Sequence, residues 1–136
     1  MQVSLNIDGR NVPFRKSGAT MLAYKMQTGR EFYADLSAFL HCLHLDKNGK
    51  AILKENGMPE VDMDKFDLEC LYSMLHVMAR SADKNVPADL LEWLDQFEEF
   101  PVISIFSQLL PLINNEMKID EKNSLTAAEN PPAAAI

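Results

Sequence analysis

Three groups of side chains in this sequence could do chemistry. His41, Cys42 and His44 lie close together, and Cys70 and His76 follow in one later helical segment. Thiols and imidazoles together invite zinc, which needs four convergent ligands held by a second layer of hydrogen bonds. The spacing does not supply them. Cys42 lies nearer the apolar stripe of its helix than either neighbouring histidine, and Cys70 and His76 fall on different faces of theirs. They read as core thiols and solvent-edge histidines. The run DKNGK at 46–50 resembles a calcium loop, but its glycine comes early and Gly57 occupies the place of the bidentate glutamate. Glu98 and Glu99 are adjacent acids on a charged helix end, a solvated face with nothing nearby to raise a carboxyl pKa. There is no G-x-S-x-G, no phosphate-cradling glycine loop and no Cys–His pair in a recognisable setting. The expectation is no catalytic residue, no metal and no cofactor, hence a non-enzyme that works through its surface.

The segment ADKNVPADLLEWLDQFEEF at 82–100 is the strongest candidate for such a surface. It holds the single tryptophan, Trp93, among Asp89, Glu92, Asp95, Glu98 and Glu99, with no Lys or Arg after Lys84. Either the indole packs on the central helix while the acids stay in water, or the whole helix is a docking surface for a basic partner. The charge distribution suggests one such partner. Net charge is −7, yet residues 1–30 carry +4, leaving −11 for the rest. Arg15, Lys16, Lys25 and Arg30, with Met21 and Met26, form a candidate self-association surface. A head-to-tail contact between it and the acidic helix would build rings or open spirals. An acidic chain is a poor nucleic-acid binder, although a small regulator using Arg10 with the same basic residues is the weakest alternative. Membrane association is not expected, because the strong helices carry acidic polar faces and no apolar run is long enough to span a bilayer.

These residues need elements to position them. Val3, Leu5 and Ile7 alternate with polar residues, Asp8-Gly9 is a two-residue turn, and Val12 and Phe14 follow, predicting a β-hairpin at 2–15 with Pro13 on an edge. Helices are expected at about 18–28, capped by Ser17 and ended by Gly29, and at 31–45, with Phe32, Leu36, Phe39, Leu40 and Leu43 on one stripe. Two Asn-Gly pairs and a proline make 46–63 a loop or small hairpin. The span 64–83 is apolar almost all round, Met74 and Met78 included, with Glu69, Ser73, His76, Arg80 and Asp83 as its one polar stripe; it should be the central helix. Pro87 opens a helix at 87–98. Pro101 opens the last, at 101–113, which Pro111 should kink or end. The fold class is therefore mainly α: a small N-terminal β-hairpin, a bundle of about five helices in one domain at 1–115, and a flexible tail at 116–136. The N-terminus lacks the pattern of a signal peptide, and the two cysteines suggest reduced thiols in a cytosolic protein.

Two separated stretches carry a family resemblance. The first is VPFRKSGATMLAYKMQTGREFYADL at 12–36, with its S-G-A-T helix start, Tyr24, T-G-R and D-L. The second is LYSMLHVMARSADKNVPADLLEWLDQFEEFPVISIFSQLLPLI at 71–113, marked by M-A-R-S-A-D, Pro87, W-L-D-Q-F and a closing L-L-P-L-I. In this order they resemble the tail assembly chaperones of long-tailed, siphovirus-like phages and prophages of Gram-positive bacteria. The resemblance implies binding of the tape-measure protein to keep it soluble, recruitment of tail-tube (major tail) protein, and action in the host cytoplasm with absence from the mature virion. It also implies a longer product made by ribosomal frameshift, for which Glu121-Lys122-Asn123 could encode a slippery heptamer. A structural tail or connector component is the principal alternative.

Overall fold

The computed structural model describes residues 2–48, 50 and 52–113. The tail expected at 116–136 lies outside the described residues. The architecture is an antiparallel β-hairpin followed by five helices. Strands β1 (Gln2–Ile7) and β2 (Arg10–Arg15) pair with Ile7 opposite Arg10 and Val3 opposite Phe14. Asp8 and Gly9 both take positive φ, 54° and 78°. That is the hairpin turn whose twist matches the strands, and Asp is one of few side chains that tolerate it. Ile7, Val12 and Phe14 are buried on one face of the ribbon.

That face lies against the central helix, α3 (Leu68–Ala82). Between Cys70 and Ala79 every residue except Tyr72 is buried. The expected polar stripe is only half present, because Ser73 and His76 are buried as well. Strand β2, α1 (Thr20–Thr28) and α4 (Leu90–Leu94) contact α3, while α2 (Phe32–Cys42) packs on α1. The last helix, α5 (102–113), contributes Val102, Ile105, Phe106 and Leu109 to the same apolar core. Phe39 of α2 meets Phe66 and Phe106 edge to face, at 5.3 and 5.1 Å between centroids.

Helices α1 to α4 are each shorter than expected, and local hydrogen bonds explain where they start or stop. Ser17 does not cap α1. Its hydroxyl accepts from Ala19 N–H, its own N–H is taken by the Thr20 hydroxyl, and the helix begins after that turn. Gly29 closes α1 in the left-handed conformation, as its position suggests. Helix α2 stops at Cys42 because Leu43 becomes extended and bridges Val61. Helix α3 starts only where the Asp67 carboxylate receives Glu69 N–H. Helix α4 likewise begins after Asp89, whose carboxylate accepts from Glu92 N–H, and after Leu94 the chain tightens into consecutive three-residue turns. Helix α5 runs through Pro111 to 113 rather than ending there.

The 43–61 segment is more organised than a loop. Three extended pieces meet in a triangle of backbone bonds: His44 N–H donates to Glu60 O, Glu60 N–H to Ile52 O, and Ile52 N–H to His44 O, at 3.0, 2.9 and 2.9 Å. The bridges Leu43–Val61 and Leu53–Pro59 flank this cycle. The turns between pieces use Asp46 and Asn56, whose side chains accept backbone N–H groups two residues on.

The joint between α1 and α2 is fixed by Asp35. Its carboxylate accepts Tyr24 O–H at 2.7 Å and a two-pronged bond from Arg30 at 2.8 Å per prong. The Arg30 guanidinium, by hydrogen bonding, holds the Asp35 carboxyl below its usual range of about 3.8, with Tyr24 adding to the effect against burial. A depressed folded pKa gives stability that is present above the unfolded value and lost as pH falls through the folded one. Asp35→Asn should therefore cost about 1.5–3 kcal/mol in urea unfolding near neutrality. The wild type should lose its advantage over the variant as pH drops below about 4. Equal stability of the two at pH 7 would show that this joint is not held by Asp35.

Candidate functional site

The acidic segment divides into an inner and an outer face. Trp93 is 2% exposed. Its ring stacks on His76 at 5.4 Å and meets Phe97 and Phe100 edge to face at 5.8 and 5.3 Å. The tryptophan therefore anchors the fold and does not itself present a contact surface. His76, expected at a solvent edge, is fully buried against it. Its Nε2–H donates to the Pro87 carbonyl at 2.8 Å, which leaves Nδ1 to accept from the Gln27 amide at 2.9 Å. One ring thus ties α1, α3 and the entry to α4. Burial lowers the His76 pKa below 6.5, although the Pro87 hydrogen bond works the other way.

The acids point outward. Glu92, Asp95, Glu98 and Glu99 are exposed, and Asp89 is spent partly on capping. The hairpin turn holds this segment in place. Asp8 accepts Glu98 N–H at 3.0 Å, while Arg10 donates to Gln96 O at 3.1 Å and lies 5.0 Å from the Phe97 ring centroid. Beside the acids runs a groove of about 710 Å³ between the start of α3 and α4, floored by Leu68, Tyr72, Leu90, Leu94 and Phe100. Glu69 and Glu98 stand on its rim, and Leu91, 71% exposed, forms one wall.

The basic residues do not gather into one open surface. Lys16 is buried, with its ammonium 5.7 Å from the Tyr33 ring centroid. Lys25 pairs with Glu31 at 2.6 Å, and Arg30 is engaged by Asp35. Arg15 is exposed and reaches the Ser81 hydroxyl at 3.4 Å. Met21 is half-buried, while Met26 is 78% exposed beside Leu22 at 62%. Met26 is a candidate contact from the sequence, whereas the exposure of Leu22 and Leu91 escapes periodicity reasoning, because a short helix shows its apolar residues on more than one face. Arg80 and Lys84 are exposed and have no ion-pair partner among the described residues.

Cys42 and Cys70 are buried free thiols, and burial raises the Cys70 thiol pKa, which makes it inert rather than nucleophilic. Among the described residues no three His, Cys, Asp or Glu side chains converge as metal ligands, and no helix is long and apolar enough to cross a membrane. No family model, curated protein or solved structure matches this chain.

The two faces should respond differently to substitution. Trp93→Ala should lower unfolding free energy by about 3–5 kcal/mol. The pair Glu92→Lys/Asp95→Lys should change it by less than about 1 kcal/mol, read from the same urea curves. Lowered folded pKa also gives His76 a signature. The unfolded chain takes up a proton near pH 6.5 while the folded chain resists, so stability is full above that pH and declines below it. The melting temperature of the wild type should fall between about pH 7 and pH 5, and His76→Gln, less stable overall, should flatten that slope. An unchanged slope would assign it elsewhere.

Proposed function

We propose that this chain is a phage tail assembly chaperone that holds the tape-measure protein through the acid-rimmed apolar groove between α3 and α4. The observation that carries the reading is the groove itself: a floor of Leu68, Tyr72, Leu90, Leu94 and Phe100, with only acidic charges on its rim. An amphipathic helix laid into such a floor would bury apolar anchors at i, i+3 and i+4 while its flanking Lys or Arg meet the rim. A tape-measure protein, long and mostly helical, offers many such segments, and several copies of the chaperone would cover it before the tube polymerises. The sequence resemblance supports the same assignment, and with it a helping role toward tail-tube subunits and release before the particle is complete. The groove is built on a packed core, so binding requires little reordering of the chaperone itself.

The test is co-expression with the tape-measure protein of the same gene cluster, followed by pull-down and mass-resolved gel filtration. The partner should become soluble and co-elute with several copies of this chain. Leu91→Glu, at an exposed position, should leave the fold intact and weaken co-elution by about tenfold or more. A partner that stays insoluble, or this chain appearing in finished particles, would remove the chaperone reading.

A further inference from the structure

Beyond the hairpin some cations are matched by carboxylates within the chain, while Lys47, Lys50 and Lys54 of the 43–61 segment and, in the helical part, Arg80 and Lys84 are exposed without an ion pair among the described residues. Lys25 pairs with Glu31, Arg30 with Asp35 and Lys65 with Asp62. Arg80 and Lys84, on and just past the end of α3, have no ion-pair partner among the described residues. Both border a groove of about 600 Å³ between α1 and α3, with Ala23, Met26 and Val77 as apolar lining and no carboxylate among the lining residues. The groove is open and apolar, and its charge is purely positive.

The complementary surface is on the same molecule. Leu91 stands 71% exposed on α4, flanked by Glu92 and Asp95, which have no ion-pair partner among the described residues either. Ala88 lines the basic groove and is three residues from Leu91. The chain between them spans at most about 11 Å. Knob and groove therefore adjoin, and a two-fold axis between copies can use both at once.

We propose that this face binds a second copy of the chain, Leu91 of each entering the α1–α3 groove of the other, with Glu92 and Asp95 meeting Arg80 and Lys84. Unpaired charges of opposite sign set beside exposed apolar groups identify the occupant, since neither acids alone nor an apolar patch alone would. The expected basic region of residues 1–30 takes a smaller part than its charge suggests. Its Lys25 and Arg30 are already neutralised, and Met26 is what it contributes. Leu91 also borders the α3–α4 groove, so pairing covers part of the surface assigned above to the tape-measure protein. The proposal goes beyond that reading and does not require it.

The full chain alone tests it, by sedimentation velocity across protein and salt concentration. The wild type should associate reversibly, and more weakly as salt rises. Glu92→Lys/Asp95→Lys and Arg80→Glu/Lys84→Glu, all at exposed positions, should each be monomeric with circular dichroism unchanged. Mixing the two variants should restore association, because each then supplies the charge the other lacks. Leu91→Ser should also weaken association about tenfold or more, independently of charge. A wild type that is monomeric at every concentration, or charge variants that associate as it does, or a mixture that stays dissociated, would overturn the proposal. Because no client is present, those results leave the tape-measure reading standing.

Discussion

A helix whose middle, from Ser73 to Ala79, is buried all round has to be enclosed on every side there, and the rest of this structure follows from that demand by α3. The hairpin, α1, α4 and α5 each supply one wall. Enclosure is straightforward for Leu71, Met74, Leu75 and Met78, which gain by leaving water. It is expensive for His76, whose two nitrogens would each cost free energy if left unpaired. Gln27 and the Pro87 carbonyl satisfy them from opposite sides. The same two bonds set how far α1 may rotate and where the chain must pass before α4 begins. Apolar burial supplies most of the driving force, while a single buried imidazole selects one arrangement of the walls.

The short α4 depends on that arrangement. Five residues cannot hold a helix in water, because nucleation consumes most of what the hydrogen bonds return. A large aromatic in the middle compensates: Trp93 takes its place among His76, Phe97 and Phe100, and Phe100 continues onto Tyr72. Leu90 and Leu94 pack beside it, while Leu91, Glu92 and Asp95 then face away from the core, where residues are free to be acidic. Tryptophan and acids in one helix are therefore two consequences of one placement. The indole fixes the orientation, and the orientation holds Glu92, Asp95 and Leu91 outward on a rigid base, with Asp8 and Arg10 of the hairpin steadying the far end.

The hairpin, the centrality of the apolar helix and the order of the five helices were legible because they rest on local signals: strict alternation, an Asp-Gly turn, an apolar run without a break, prolines at helix starts. Helix ends were less legible. Asp67 and Asp89 are caps that the sequence displays, yet apolar positions before each extend the periodic pattern, and only the backbone bond to a particular N–H decides between them. The 43–61 triangle was hidden for a different reason. Its three backbone bonds join residues eight and sixteen apart, and no side-chain pattern announces a closed cycle of main-chain groups. His76 escaped because a polar residue on a helix reads as a surface residue unless its partners, here 49 and 11 positions away, are known.

The candidate surfaces show the same division between what composition records and what geometry distributes. Composition gave a basic N-terminal region and an acidic remainder, and the acidic part holds: Glu92, Asp95, Glu98 and Glu99 all face water. The basic part does not act as a unit, because charge is neutralised by neighbours that sequence distance does not reveal. Lys25 finds Glu31, Arg30 finds Asp35, and Lys16 is enclosed beside Tyr33. What remains for an outside partner is decided by subtraction: Arg15, Lys47, Lys50, Lys54, Arg80 and Lys84 are exposed without an ion pair among the described residues, and of these Arg80 and Lys84 border the groove that holds Met26, on a face the linear charge count would assign to the acidic half. In this chain, the charges left unsatisfied after folding are a more direct guide to its partners than its net charge.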